Sequence, residues 1–212
     1  GIRIKEGFLL TVLLWLFFTI FATLPLIFGS KSGLSIVSAY FEATSGLTTT
    51  GATIFSDLSG EYYSILFYRG LLQWIGGLGI IVLAIALMPL LGVGGMQLYR
   101  GETQGPINQS KLRPKIAETA MVLVYIYLIL TLLCFLSYFL AGMEYFDAIV
   151  HSFTTIAIGG FSNYNESFAF FNNNTIYILA VVFMFISGIS FSLHYLSSVS
   201  YTHLRAHETL RY

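Results

Sequence analysis

The run Phe41-Glu42-Ala43-Thr44-Ser45-Gly46-Leu47-Thr48-Thr49-Thr50-Gly51-Ala52-Thr53 sits between two long apolar stretches of a 212-residue chain. It opens inside a short apolar segment, Ile36 to Leu47, that reads as a half-length helix. Twelve helical residues rise ~18 Å, short of the ~30 Å of hydrocarbon in a bilayer. If the flanking stretches face the same side there, this segment must dip in and return. Its return limb, Thr48-Thr49-Thr50-Gly51-Ala52-Thr53, then leaves carbonyls unpaired at membrane depth, tolerated only where they are buried in protein or line a watery path. Glycine permits backbone angles that turn successive carbonyls inward, and threonine adds hydroxyl oxygens. Such a row of oxygens can replace the hydration shell of an alkali cation, and the negative end of the half-helix dipole favours a cation there. Alone, a Thr/Gly turn in a structural hairpin fits equally; position and repetition favour the ion path.

The composition demands a membrane. Hydrophobic residues make up 56% of the chain and charged residues only 9%, against about 25% charged in a soluble domain. That excludes an ordinary soluble globule and also disorder. Ten Lys plus Arg balance ten Asp plus Glu, so no basic excess exists to hold nucleic acid. A single cysteine, Cys134, excludes an internal disulfide framework and reads as a small hydrophobe, buried or facing lipid. Four stretches are long enough to span: Gly7 to Phe28, about Tyr62 to Leu91, Thr119 to Gly142, and about Thr175 to Ser197. The first has too long an apolar core, and no cleavage site, for a signal peptide. The chain starts at Gly1, which suggests a missing start.

Arg3 and Lys5, then Arg100, Lys111, Arg113 and Lys115, then Arg205 and Arg211 all fall on one side of such a topology. By the positive-inside rule both ends and the 92–117 linker are cytoplasmic. The outer side carries Glu42, Asp57, Glu61, Glu144, Asp147 and Glu166, either ordinary solvated loop acids or a weak cation-attracting vestibule.

The second half repeats the order of parts. At an offset of 109 residues, Ser45 falls on Thr154, Thr50-Gly51-Ala52-Thr53 on Gly159-Gly160-Phe161-Ser162, and Gly79 on Gly188. A second half-helix, Tyr145 to Ile156, follows the third span. This is a duplicated membrane unit. The expected organisation is a first helix–pore-loop–helix repeat at 1–91, a linker at 92–117, a second repeat at 118–198, and a tail at 199–212. The fold class is an all-α polytopic membrane protein with two such repeats.

Phe41 to Thr53, together with Leu72-Gln73-Trp74-Ile75-Gly76-Gly77-Leu78-Gly79-Ile80, resembles the Trk/Ktr/HKT potassium transporters. Gly92-Val93-Gly94-Gly95-Met96-Gln97-Leu98-Tyr99-Arg100 and Ile116-Ala117-Glu118-Thr119 narrow the resemblance to the bacterial Trk-type translocating subunit, over about residues 1–198. The resemblance implies four repeats around one pore, of which this chain holds two, with filter glycines at Gly51 and Gly160. The filter would be Thr48, Thr49, Thr50 and Gly51 with Ala157, Ile158, Gly159 and Gly160. Ile158 stands where a threonine is common in the family. The resemblance also implies K⁺ as transported ion with no covalent cofactor, H⁺ or Na⁺ as possible coupling ions, a homodimer, a TrkA-like cytoplasmic nucleotide-binding subunit, and the bacterial inner membrane. The 92–117 linker is a candidate contact for that subunit. Residues 199–212 depart from the family's text and read as adapter read-through or a short native tail.

Arg69 is costly in a span and must face protein or water. It lies at the depth of Glu42 and either pairs with it behind the filter, as filter support, or snorkels outward. His151, at the position equivalent to Glu42, reads as a packed or hydrogen-bonded histidine rather than a proton relay. His194 reads as interfacial, and Trp15 and Trp74 as packing or lipid-facing groups. Gly76, Gly77 and Gly79 allow close approach of the neighbouring pore helix. No hydrolytic or redox constellation is present, and Gly92-Val93-Gly94-Gly95 lacks the Lys-Ser/Thr of a nucleotide loop, so no enzyme is expected. The reading is a fragment of a potassium-translocating subunit. A non-transporting scaffold remnant and a two-repeat channel acting as a dimer are the rivals.

Overall fold

The computed structural model describes residues 4–91 and 109–189. Among the described residues six α-helices follow one another: α1 (Ile4–Gly29), α2 (Ile36–Leu47), α3 (Tyr63–Leu91), α4 (Gln109–Leu140), α5 (Tyr145–Ile156) and α6 (Asn174–Gly188), with a 3-10 turn at Ser167–Phe171 before the last. No strand occurs among the described residues.

Phe8–Gly29 and Ala120–Leu140 are each long and apolar enough to cross a membrane. Both turn large apolar side chains outward, among them Leu9, Phe17 and Phe21 on α1 and Tyr125, Ile129 and Leu132 on α4. In water such a continuous apolar surface is an aggregation hazard; in lipid it is the solvated face. The interior is correspondingly polar for a membrane fold: Glu42, Arg69, Gln73, His151, Ser152 and Thr154 are all buried.

Threonines inside the helices spend their hydroxyls locally. Thr19 bonds back to the Trp15 carbonyl, Thr23 to Thr19, and Thr44 to Tyr40, so these polar groups need no partner in lipid. At the start of α2, Ser35 caps by accepting from the Ser38 N–H at 3.1 Å. Helices α1 and α3 flank α2, while α3 and α4 flank α5. Thus α3 belongs to the walls of both half-helices. One core gathers Leu26, Ala39, Ala43, Leu47 and Leu72; a second gathers Tyr127, Cys134, Tyr138, Ala148 and Ile156.

Two helix ends add detail to the sequence reading. Helix α4 begins at Gln109, so part of the expected 92–117 linker is helical and its end at 117 falls inside a helix. Among the described residues the fourth apolar stretch is helical from Asn174 through Gly188, after which Ile189 turns extended (φ −66°, ψ 133°) and its N–H bonds back to Ile186 and Phe185. Its fifteen residues rise ~22 Å; the rest of that stretch, 190–197, lies outside the described residues. Residues 92–108, His194, and the 199–212 tail lie outside the described residues.

Candidate functional site: two return limbs

The two half-helices end in the same way. Thr48 N–H bonds to Thr44 O, Thr49 N–H to Gly46 O, and Thr50 N–H to Ser45 O. In the second unit Ala157 N–H bonds to Phe153 O, Ile158 N–H to Thr155 O, and Gly159 N–H to Thr154 O. Every partner is displaced by the same 109 residues. The backbone then alternates. Thr49 and Gly51 have φ of 55° and 79°, and Ile158 and Gly160 have φ of 54° and 84°, while Thr50 and Gly159 between them do not enter the positive-φ region. In an ordinary strand successive carbonyls point to opposite sides; reversing the backbone hand at every second residue turns them toward one side. Thr49 and Ile158 hold left-handed geometry that costs a β-branched residue about 1–2 kcal/mol, and strain of this kind collects at functional sites.

The limbs touch. A Cβ on Gly51 would overlap the Gly159 carbonyl oxygen, so only glycine fits there on grounds of both space and φ. A 160 Å³ cavity opens between them, lined by Gly51, Thr53 and Arg69 on one side and Gly160, Phe161 and Ser162 on the other.

Arg69, from α3, ties the limbs from behind. Its Nε donates to Glu42 Oε1 at 2.8 Å, Nη2 to Thr53 Oγ1 at 3.1 Å, and Nη1 to the Ser162 carbonyl at 3.1 Å. The rings of Phe161 and Phe55 lie over the guanidinium at 4.3 and 5.0 Å. Glu42 in turn accepts from Thr53 Oγ1 and from the Ile54 N–H, both at 2.9 Å. Both charges are buried, at 1% and 0% exposure. Arg69 therefore pairs inward and does not snorkel.

His151 occupies the place of Glu42 in the second unit. Its Nε2 is 3.0 Å from Ser162 Oγ, and its Nδ1 is 2.9 Å from the Asp147 carbonyl. Residues 42 and 151 thus bond to residues 53 and 162, again one repeat apart. The histidine is fully buried and hydrogen-bonded.

Of the outer carboxylates, Glu42, Asp147 and Glu61 are engaged by protein donors, while Asp57, Glu144 and Glu166 are exposed. Glu42 is consumed by Arg69. Asp147 is buried and accepts from Asn163 Nδ2 and the Tyr164 hydroxyl at 2.8 and 2.7 Å. Glu61 accepts from the backbone N–H groups of Lys31 and Ser32. Glu42, Asp147 and Glu61 thus meet donors that would be costly to leave unpaired away from water.

Sequence reasoning missed three groups. Gln73 is fully buried and its Oε1 accepts the Phe161 N–H at 3.1 Å. Asn165 bridges the units, accepting from the Leu58 N–H and donating to Asp57 Oδ1, both at 2.9 Å. Thr131, in the middle of α4, accepts from Trp74 Nε1 at 3.0 Å, so Trp74 packs inside and does not face lipid. Of Gly76, Gly77 and Gly79 on α3, Gly76 lies against the end of α2, where a Cβ would overlap the Leu47 carbonyl. Gly77 lies against Tyr127 and Ala157, whereas a Cβ on Gly79 would meet Trp15 only at 3.8 Å. Close approach therefore does not require glycine at position 79.

Asp57 gives a pH prediction. Hydrogen bonds from the Ser59 hydroxyl, Asn165 and the Ser59 backbone hold its carboxyl down at about 2, from an ordinary 3.8. Since the folded value is the lower, the stabilisation is complete above about pH 4 and is lost as pH falls through about 2. Comparing acid melting of the parent with Asp57→Asn should show a small gap above pH 4 that closes toward pH 2. A gap independent of pH would remove the carboxylate as its cause.

No group of three or more His, Cys, Asp or Glu side chains that could hold a metal occurs among the described residues. The oxygens on offer are those of the limbs.

Residues 1–209 match the family model for TrkH, described as a cation transport protein. The chain is 52% identical over 194 residues to the Trk system potassium uptake protein TrkH of Escherichia coli (strain K12), covering 92% of this chain and 40% of that protein. It is 43% identical over 195 residues to the Trk system potassium uptake protein TrkG of the same strain, with the same coverage of each. The crystal structure of the potassium transporter TrkH from Vibrio parahaemolyticus matches with a TM-score of 0.80 at 45% identity, over 92% of this chain and 38% of that one. The chain spans about 40% of the length of the curated relatives it matches. By sequence and by fold, this helical membrane chain belongs to the TrkH family of cation transport proteins.

Proposed function

We propose that this chain is part of a potassium-uptake transporter and supplies two of the filter walls through which K⁺ passes. The observation that carries the reading is the pair of limbs, each with left-handed backbone at alternate residues and each following a half-helix. Thr48, Thr49, Thr50 and Gly51 form one wall; Ala157, Ile158, Gly159 and Gly160 form the other. Their carbonyl and hydroxyl oxygens exchange for water around the ion, and the C-terminal ends of α2 and α5 add negative dipole ends. Glu42 and Arg69 brace the walls from behind.

The remaining parts follow the relatives' names and the physical pattern. The protein acts without enzymatic chemistry or covalent cofactor, with H⁺ or Na⁺ as coupling ion where uptake is driven. It sits in the bacterial inner membrane with both ends and the 92–117 segment cytoplasmic, since the basic residues collect there. It works as a homodimer, and the 92–117 segment meets a TrkA-like nucleotide-binding subunit.

Two tests bear on this. A full-length transporter carrying this segment should restore growth in low K⁺ to a bacterium lacking potassium uptake; no rescue by a protein shown to reach the membrane would sink the reading. The 212-residue chain alone, as a monomer in liposomes, should conduct nothing, because two walls leave the limb carbonyls open on one side, each at a cost of several kcal/mol in hydrocarbon. Saturable Rb⁺ uptake by a proven monomer would favour a compact two-repeat channel.

A further inference from the structure

Gln73 stands on α3 in the first unit, yet its side chain serves the limb of the second. Its Oε1 accepts the Phe161 N–H at 3.1 Å, 88 residues away in sequence. The donor on Phe161 fixes which end of the amide faces it, and Nε2 is left buried with no hydrogen-bond partner among the described residues. A buried amide that gives up half its hydrogen bonding is best explained by what the other half holds.

The peptide joining Gly160 to Phe161 is trans. In a trans peptide the N–H and the C=O point in opposite directions. Drawing the Phe161 N–H toward Gln73 therefore turns the Gly160 carbonyl away from α3. On the open side of Gly160 a Cβ would meet nothing within 4 Å, and Gly51 and Gly160 line the same cavity. The two glycines of the second limb consequently have different causes. Gly160 is required by its φ of 84°. Gly159 is required because the Gln73 amide occupies the place of its Cβ. The Phe161 ring is held too, over Arg69 at 4.3 Å, so the peptide is gripped by its N–H and by its side chain.

We propose that Gln73 is a positioning residue that sets alkali-cation discrimination, by aiming the Gly160 carbonyl into the ion path. This rests on the reading of the limbs as filter walls. One repeat further on, the equivalent residue of α6 is Val182, which offers no acceptor.

The test uses the full-length transporter carrying this segment, purified into proteoliposomes, with K⁺ and Na⁺ flux measured separately. Gln73→Leu removes the acceptor at similar volume and should lower the K⁺-over-Na⁺ flux ratio about tenfold, chiefly by raising Na⁺ flux. Gln73→Glu keeps an acceptor oxygen and should stay within about threefold of the parent. If Gln73→Leu does not fold, Gln73→Met carries the same expectation with an unbranched chain. An unchanged ratio in the folded acceptor-less variant overturns the proposal, as does equal loss in the Glu variant, which would make Gln73 a packing residue only. A parent that moves no K⁺ sinks the transport reading itself, a separate outcome that removes the basis of the proposal.

Discussion

Replacing Arg69 by Gln in the full-length transporter should destabilise it by about 3–5 kcal/mol, the usual cost of leaving one member of a buried ion pair uncompensated. Glu42 would keep its bonds from Thr53 and Ile54 but lose its only observed salt-bridge partner among the described residues. The reverse change, Glu42→Gln, leaves a guanidinium buried between two aromatic rings and one carbonyl and should cost a similar amount. The double variant should cost less than the sum by about 0.5–3 kcal/mol, since each single change strands a charge that the double change removes. Detergent melting of the four proteins measures this. Additive losses would mean that the two side chains do not act as a pair. Because Arg69 also holds the Ser162 carbonyl of the second limb, its loss should loosen both units, whereas loss of Glu42 should fall mainly on the first.

Gly51→Ser should reduce the preference for K⁺ over Na⁺ by at least about tenfold, equivalent to about 1.4 kcal/mol of differential binding. Two faults act together: a side chain at φ 79° is strained, and its Cβ would overlap the Gly159 carbonyl of the facing limb. The change therefore displaces oxygens on both walls. Gly160→Ser carries the conformational fault alone, because its Cβ position is open, and should be milder. Gly60→Ser, where the nearest atom is Lys31 Nζ at 3.9 Å, serves as the control. Growth of a potassium-uptake-deficient bacterium in low K⁺ with added Na⁺, together with the flux ratio, reports the result. Unchanged growth and ratio for Gly51→Ser would take Gly51 out of the filter.

Sequence alone determined the membrane class, the two half-helices and their limbs. These follow from local physics: apolar length against bilayer thickness, a helix too short to cross, and glycine or threonine where the backbone must turn. The bounds Ile36–Leu47 and Tyr145–Ile156 were legible because each is a short, mainly apolar segment followed by a Gly-containing stretch that favours a turn. Opposite charges at one depth made Glu42 and Arg69 natural partners, since neither can stay alone in hydrocarbon. Only the tertiary structure decided what joins the two units. Gln73 to Phe161, Arg69 to Ser162 and Asn165 to Leu58 link residues 88 to 107 positions apart, and no periodicity marks such pairs. The partners of Glu61 and Asp147 were illegible for a related reason. A carboxylate's role depends on which loop donors reach it. Length and hydropathy say whether a segment enters the membrane; packing against other segments says which side chains of distant repeats meet.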